Sequence, residues 1–216
     1  MQKITILGGK LRLLPEKAIY IEGLRSLLVA DVHLGKSETF QSRGIPIPNT
    51  INQETLDRLQ TLCHTLEPET LFILGDLFHS KFALVDEVLD SWSDFLSSIN
   101  TDVNLILGNH DRSLIEALSH LSMQCSTNPI QIDNLVLSHE PFPQSNCLNI
   151  CGHLHPCVRI KTKLDDLRLP CFHLETSQNR LTLPSFDEFT GGCEVSLTSD
   201  AIAYVVAEDA IIPFEA

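Results

Sequence analysis

The sequence lacks any apolar run long enough to cross a membrane. A transmembrane helix needs about 18 or more consecutive apolar residues, and no such run occurs among the 216 residues. The beginning of the chain, MQKITILGG, also lacks the long apolar stretch and the cleavage pattern of a signal peptide. We therefore expect a cytoplasmic protein that makes no membrane contact.

Paired cysteines of the C-x-x-C type are also missing. The chain has seven cysteines, an odd number, and a disulfide framework is not expected at this length without a secretion signal. Free cysteines usually pack as small apolar side chains, which is what we expect here. Because four of the seven lie between Cys147 and Cys171, beside the candidate site, a metal or redox role for one of them stays open.

Positive charge is scarce. Lys and Arg number 15 against 28 Asp and Glu, which gives a formal net charge of −13. This balance argues against a large basic surface for duplex DNA, although it does not exclude nucleic acid as a substrate. Two bound divalent cations would change the balance to −13 + 4 = −9 and would concentrate the positive charge in the site itself.

Apolar periodicity predicts alternating strands and helices in the first half of the chain and mostly strands in the second. A hairpin is predicted from residues 4–7 and 17–21, and helices over residues 50–66, 85–99 and 113–121. Further strands are predicted at residues 27–30, 71–74, 103–107, 130–132, 135–138, 148–151, 157–160, 167–174, 181–183, 194–197 and 202–206.

This order of elements predicts an α/β fold. Two packed mixed sheets with helices outside them would form a four-layer αββα sandwich. No internal repeat and no linker is visible, so we expect residues 1–216 to form a single domain.

Polar motifs follow five of the predicted strands. Strand ends are the places where an open α/β sheet gathers a site, and each motif supplies oxygen or imidazole donors. Residues i and i+2 of a strand point to one side, so Asp31 and His33 can bind the same ion. The five motifs are Asp31-Val32-His33, Gly75-Asp76, Gly108-Asn109-His110-Asp111, His139 and Gly152-His153-Leu154-His155.

These donors suit a phosphoester, whose anionic charge repels an attacking hydroxide. A pair of divalent cations can hold the phosphate oxygens, lower the pKa of a water molecule and stabilise the leaving oxygen. Imidazole and carboxylate groups bind first-row metal ions without thiolates. Each motif alone is common by chance or in turns, but all five in this order after apolar strands are specific.

The five motifs resemble those of the calcineurin-like metallophosphoesterase family and would make the chain a single metallophosphoesterase domain. The resemblance implies a two-metal enzyme in which Asp76 bridges the ions. The first ion would be bound by Asp31, His33, Asp76 and His155, and the second by Asp76, Asn109, His139 and His153. His110 would protonate the leaving group or hold the phosphate, and Asp111 would orient His110.

A narrower resemblance covers nearly the whole chain. Motifs at 30–36, 43–48, 75–80, 139–141, 152–156 and 183–192 are similar to those of PdeM-type, ligase-associated DNA damage response endonucleases. Membership would imply a manganese-dependent enzyme that cuts single-stranded DNA, with Fe²⁺ or Zn²⁺ as alternative metals. It would also imply a functional link to DNA ligase and helicase repair proteins. The last motif departs from the family at Ser185 and Asp187.

Basic and aromatic residues near the motifs are candidates for substrate contact. Arg suits bidentate phosphate contacts, and His79 follows the predicted bridging residue by three positions. The candidates are Lys36, Arg43, His79 and Arg112, with solvated surface charge as the alternative for Lys36 and Arg43. Stacking on bases or ordinary core packing are the two interpretations of Phe40, Phe142 and Phe189.

Two other functions compete with a nuclease. A phosphoesterase acting on a small nucleotide or sugar-nucleotide would use the same chemistry, and the acidic net charge favours it. A binding scaffold with this fold but no catalysis is disfavoured, because all seven predicted ligands and His110 are present.

Overall fold

Strands dominate the computed structural model, which describes residues 1–48, 50–144, 146–161 and 165–215. The first half contains β1 (Gln2–Ile6), β2 (Gly9–Leu14), β3 (Ala18–Ile21), β4 (Ser26–Val29), α1 (Lys36–Gln41), α2 (Thr50–Leu66), β5 (Thr70–Leu74), α3 (Asp86–Ser98), β6 (Asp102–Ile106), α4 (Ile115–Leu118) and β7 (Gln124–Ser126). The second half contains β8 (Ile130–Ile132), β9 (Leu135–Ser138), β10 (Leu148–Cys151), β11 (Pro156–Lys161), β12 (Asp166–Glu175), β13 (Arg180–Thr182), β14 (Cys193–Glu194), β15 (Ala201–Ala207) and β16 (Ala210–Glu215).

The strands form two mixed sheets, so the predicted α/β fold is confirmed. The first sheet has seven strands in the order β1 to β7. Its strands β4 to β7 run parallel, and β1 to β4 are antiparallel neighbours. The second sheet has nine strands, with the path β14-β11-β12-β13-β10-β9-β8, and in addition β15 pairs with β12 and β16 pairs with β15. Within it, β9 and β10 are parallel neighbours.

The two faces of the first sheet lie in different apolar cores. Leu27 and Val29 of β4 pack with residues of the helices α2 and α3, including Leu59 and Trp92. Leu28 points the opposite way and packs in the core between the two sheets, together with Leu137, Ile150, Phe172 and Tyr204. Because both faces are covered, β4 is continuously apolar from Leu27 to Val29 rather than alternating.

The helices predicted over residues 50–66 and 85–99 correspond to α2 and α3. Both place an apolar stripe on the first sheet, as amphipathic helices do. All four α-helices of the described residues precede Ser119, so the helical layer that they form covers the first sheet. No helix within the described ranges is long and apolar enough to span a membrane.

Four local predictions were wrong or incomplete. The strands predicted at 4–7 and 17–21 do not pair with each other, because β2 lies between β1 and β3. The predicted helix 113–121 is a 3-10 turn, Asp111–Leu114, followed by the short α4. The predicted strand 194–197 is reduced to β14, and α1 and β16 were not predicted.

Candidate metal centre

The five polar motifs meet where the carboxyl ends of the two sheets come together. Asp31 and His33 follow β4, Asp76 follows β5, and Asn109 follows β6, three adjacent parallel strands. From the second sheet, His139 follows β9, and His153 and His155 follow its neighbour β10. The packing of the two sheets therefore brings all seven predicted ligands into one cluster.

Asp31, His33 and His155 form one group of donors. One ligand atom from each of the three lies within 4.8 Å of the others. The Asp31 Oδ1 and His155 Nε2 atoms are 3.1 Å apart, and neither forms a hydrogen bond with any described group although both are buried. The His33 Nε2 atom is 3.8 Å from the Asp76 Oδ2 atom, which connects this group to the second.

Asp76, His139 and His153 form the second group. The Asp76 Oδ2 atom is 3.5 Å from His139 Nε2. The same imidazole nitrogen is 3.1 Å from His153 Nδ1 and 3.0 Å from the Asn109 Oδ1 atom. His139 donates its Nδ1 hydrogen to the Leu74 carbonyl oxygen at 2.9 Å, which leaves the Nε2 lone pair facing the cluster.

Two divalent cations fit this donor set. Buried polar atoms without hydrogen-bond partners are rare in native proteins, and Asp31 Oδ1 and His155 Nε2 are two such atoms that face each other. Carboxylate, amide and imidazole donors together suit first-row divalent ions. Besides the second group, Asp76 belongs to a donor group with His33 and His110, so it lies between the two sets of donors, as expected of a bridging ligand.

The backbone is turned sharply at the predicted ligands. Asp31, His33, Asp76, His153 and His155 all have positive φ angles, between 46° and 68°. Residues other than glycine adopt this left-handed region at a cost of about 1–3 kcal/mol each, and such strain is concentrated at functional sites. The turns direct these side chains inward at the ends of β4, β5 and β10.

The glycines of the motifs are required by close contacts with ligand side chains. A Cβ atom on Gly75 would lie 2.1 Å from His139 Nδ1, and one on Gly108 would lie 2.1 Å from Asp76 Oδ1. A Cβ atom on Gly152 would lie 2.6 Å from Asp31 Oδ2. The Gly-Asp, Gly-Asn-His-Asp and Gly-His-x-His patterns therefore have a steric reason as well as a chemical one.

His110 lies beside the two groups, but Asp111 does not orient it. The Nδ1 atom of His110 donates to the His79 carbonyl oxygen at 2.5 Å, and its Nε2 atom is 3.9 Å from Asp76 Oδ2. The Asp111 carboxylate instead accepts backbone N–H groups of Leu77, Phe78 and Gly108. The predicted role of Asp111 is thus corrected: it ties the β5 and β6 loops together, because buried amides surround it.

His79 lies within the site, in a stack of rings. Its imidazole is stacked on His110, with the ring centroids 5.3 Å apart, and stacks on Phe40 on its other side at 5.9 Å. Burial, followed by repulsion from His33, lowers the pKa of His79 to about 4. Its imidazole is therefore neutral at physiological pH, so at that pH His79 supports His110 through packing and its carbonyl oxygen rather than through charge.

The prediction that Lys36 contacts the substrate is wrong. Its side chain is buried, and its ammonium group donates to Asp187 Oδ2 at 2.7 Å, to the Phe189 carbonyl oxygen at 2.8 Å and to Thr190 Oγ1 at 2.9 Å. All three hydrogens are thus used within the protein. Burial opposes ionisation of Asp187, but Lys36 outweighs it and lowers the pKa of that carboxyl.

The other two predicted cations are on the surface. The Arg112 side chain is exposed and donates to Glu140 Oε1 at 3.1 Å. Arg43 is also exposed, two residues beyond the end of α1. Neither is brought into contact with the predicted ligands by the fold.

The loop that follows β13 was recognised by its sequence motif but received no role, and it turns out to support the ligands. The Thr190 hydroxyl is 3.1 Å from His33 Nδ1, the outer nitrogen of that imidazole. The Ser185 hydroxyl donates to the Asp31 carbonyl oxygen at 2.9 Å. Ser185 and Asp187 are the two departures from the resembled family, and both are buried against the metal centre.

The cysteines take no part in the donor groups found among the described residues. All seven are free, and five are buried. Burial raises the pKa of Cys151 and of Cys171 to about 12. These two thiols therefore stay protonated and act as small apolar side chains.

Comparison with known proteins places this arrangement in context. The sequence profile of the calcineurin-like phosphoesterases matches residues 24–201. The crystal structure of the Pseudomonas putida nuclease MPE is 35% identical, covers 99% of this chain and 99% of that chain, and superposes with a TM-score of 0.83.

Two other solved structures are less similar to this chain. The phosphoesterase Yfce from E. coli is 17% identical over 87% of this chain and 96% of that chain, with a TM-score of 0.46. AQ665 from Aquifex aeolicus, a protein of unknown function, is 22% identical over 60% and 78%, with a TM-score of 0.43. Among curated proteins, none matches this chain.

Proposed function

Because this chain belongs to the calcineurin-like phosphoesterase family and is a metal-dependent phosphoesterase, we propose that it is a manganese-dependent nuclease that cuts single-stranded DNA. The observation that carries the proposal is the likeness to the Pseudomonas putida nuclease, at 35% identity over 99% of both chains. Because fold alone does not determine function, the clustered donors support the proposal beside that likeness.

The proposal assigns the seven clustered donors to two divalent ions. Asp76 bridges them, Asp31, His33 and His155 complete the first set, and Asn109, His139 and His153 complete the second. The converging unpaired atoms at Asp31 and His155 support the first set. The short distances among Asn109, His139 and His153 support the second.

The bound ions supply Lewis-acid stabilisation of the phosphate and of the attacking and leaving oxygens. Residues of the chain orient the reaction. His110 reaches the same space through its Nε2 atom, while its Nδ1 atom is held by the His79 carbonyl oxygen. We assign to His110 the protonation of the leaving oxygen or the holding of a phosphate oxygen.

The charge of the molecule supports a single-stranded substrate rather than a duplex. A rigid duplex is bound mainly through many phosphate contacts made by Lys and Arg, and this chain has a net charge of −13. An unpaired strand can instead bend into the metal centre and be held by its bases. The role in DNA repair and the functional link to DNA ligase and helicase proteins follow from the family resemblance and belong to the same proposal, as does a cytoplasmic location.

The test is cleavage of a labelled single-stranded oligonucleotide and its duplex at equal concentration. The enzyme is first stripped of metal and then given Mn²⁺, Fe²⁺ or Zn²⁺. We expect cutting with Mn²⁺, faster on the single strand. Faster cutting of the duplex would contradict the electrostatic argument.

The alternative is a small nucleotide or sugar-nucleotide substrate, which the acidic net charge favours. Turnover of such a compound, with no cleavage of either oligonucleotide, would replace the nuclease proposal by this one. The metal requirement would be the same in both cases, because the chemistry of the site does not depend on the rest of the substrate.

A further inference from the structure

Phe189 is an exposed aromatic residue on a fixed backbone. The residue is 56% exposed to solvent. Its backbone N–H donates to Asp187 Oδ1 at 2.9 Å, and its carbonyl oxygen accepts from the Lys36 ammonium at 2.8 Å. Single exposed apolar residues are common, but here buried charged groups hold the backbone on both sides of the ring.

The groups that hold Phe189 are themselves an ion pair inside the protein. Lys36 and Asp187 are 8% and 3% exposed and 2.7 Å apart. Removing two charges from water costs free energy, which their attraction and hydrogen bonds must offset. These polar contacts fix the backbone of Phe189, while more than half of the residue stays exposed to solvent.

The residue that carries this ring lies next to the candidate metal centre. Thr190, the following residue, places its hydroxyl 3.1 Å from the Nδ1 atom of His33. Adjacent Cα atoms are about 3.8 Å apart, so the backbone of Phe189 lies at the edge of the cluster rather than elsewhere on the surface. An exposed side chain at this position is within reach of a nucleotide that flanks a phosphate bound in the cluster.

Three cations around the same loop form ion pairs with two acidic residues. Lys36 pairs with Asp187, Lys17 lies 3.0 Å from Glu188 Oε2, and Arg58 also pairs with Glu188. The two carboxylates offset two of these three positive charges, which weakens the attraction of the three cations for the phosphates that flank the scissile one. A contact with a base would therefore add to the binding of a strand on this side of the site.

We propose that Phe189 stacks on an unpaired base of the nucleotide next to the scissile phosphodiester. This inference rests on the proposed function, because it requires a nucleic-acid substrate. Because the backbone of Phe189 is already held, binding does not have to order the loop, and every base offers a face for stacking, so the contact is tolerant of sequence. Bases in a duplex are stacked on one another and are closed to the ring, which gives a structural source for a single-strand preference.

The test compares two diesters in the same enzyme variants. One substrate is a single-stranded oligothymidylate, and the other is methyl p-nitrophenyl phosphate, which carries no base. The variants are Phe189→Ala, Phe189→Leu and Phe189→Trp, with Ile212→Ala as the control. Ile212 is an exposed apolar residue on the edge strand β16, away from the cluster.

For Phe189→Ala we expect kcat/KM on the oligonucleotide to fall about 5- to 150-fold, the factor that corresponds to one base–aromatic contact. The fall on the base-free ester should be much smaller. Phe189→Trp should restore cleavage, Phe189→Leu should not, and Ile212→Ala should leave both rates unchanged.

Equal losses on the two substrates, or full activity of Phe189→Leu on the oligonucleotide, would overturn the stacking role. Unchanged cleavage of the oligonucleotide by Phe189→Ala would overturn it as well. A different result would contradict the proposed nuclease function itself: the wild-type enzyme would hydrolyse the ester and leave the oligonucleotide intact.

Discussion

His110 differs from the seven clustered ligands in the surroundings of its two ring nitrogens. The Nδ1 atom is bound to the His79 carbonyl oxygen, and the ring is held between that residue and the edge of His33. Its Nε2 atom also lies near enough to His33 and Asp76 to be counted with them as a donor group. Geometry alone thus leaves three roles, general acid, phosphate contact or metal ligand, which experiment can separate.

We expect His110→Ala to lower turnover of a nucleotide ester by about 10²–10⁴, the usual contribution of a general acid. The loss should be smaller for a nitrophenyl ester, because a good leaving group needs no proton. Metal analysis of the purified variant should still give two ions per chain. Equal losses on the two esters would mean that His110 holds the phosphate, and a lower metal content would make it a ligand.

Thr190 is a second residue whose contact with a predicted ligand can be tested by itself. Its hydroxyl contacts His33 Nδ1 and also accepts a hydrogen bond from Lys36. Partners of this kind orient a ligating imidazole, and their loss typically weakens metal binding about 10–100-fold. We expect Thr190→Val to weaken Mn²⁺ binding by that factor, measured by titration of the metal-free enzyme.

Thr190→Ser keeps the hydroxyl and is the matched control, which should bind Mn²⁺ like the wild type. Denaturant unfolding of both metal-free variants separates a local effect from a general one. If Thr190→Val binds metal normally and only unfolds more easily, Thr190 supports the loop and not His33.

At the level of the element, three strands of the first sheet and two of the second deliver their polar residues to one point. The turns after β5, β6 and β10 need glycine, because side chains of the predicted ligands occupy the space where a Cβ atom would lie. A tight turn of this kind fixes the position of the donor side chain that follows the strand. The motif glycines are therefore as necessary to the site as the donors.

Gly108→Ala should both destabilise the protein and disturb the bridge. Its Cβ atom would lie 2.1 Å from Asp76 Oδ1 and 2.5 Å from the Asp76 backbone nitrogen. Overpacking of this kind typically costs about 1–3 kcal/mol, and we expect fewer than two metal ions per chain. Gly23→Ala is the control: no atom lies within 4 Å of its Cβ position, so the change should stay within about 0.5 kcal/mol. Normal metal content in Gly108→Ala would show that the loop adapts.

At the level of the whole molecule, metal binding and folding are coupled because both sheets contribute donors. We propose that residues 1–216 unfold as one domain, and we expect a single thermal transition. At a metal concentration 100 times Kd, binding adds about 2.7 kcal/mol, which for this size raises Tm by about 5–10 °C. Asp76→Asn should lose most of this rise, since a neutral amide cannot hold two cations together. Two separate transitions in calorimetry would contradict the single domain.

Several features of this protein are determined locally and could be predicted from the sequence. The apolar runs that end at Asp31, Asp76 and Asn109 predicted strands with polar ends, and the hairpin of β8 and β9 was predicted with its correct bounds. The periodicity of α2 and α3 predicted the helical layer on the first sheet. Strand ends, turns and helix stripes depend on neighbouring residues, so a single sequence contains enough information for them.

Other features were decided only by contacts between distant parts of the chain. Lys36 is bound to Asp187, 151 residues away, so the sequence could not tell a buried support from a phosphate contact. The Asp111 carboxylate accepts hydrogen bonds from the backbone amides of Leu77 and Phe78 instead of orienting its neighbour His110. The short polar helix α1, which was not predicted, begins at the same buried lysine, Lys36. In each case the sequence offered the side chain several possible partners. Burial makes one of these partners far more favourable than water, and burial exists only once the sheets have packed.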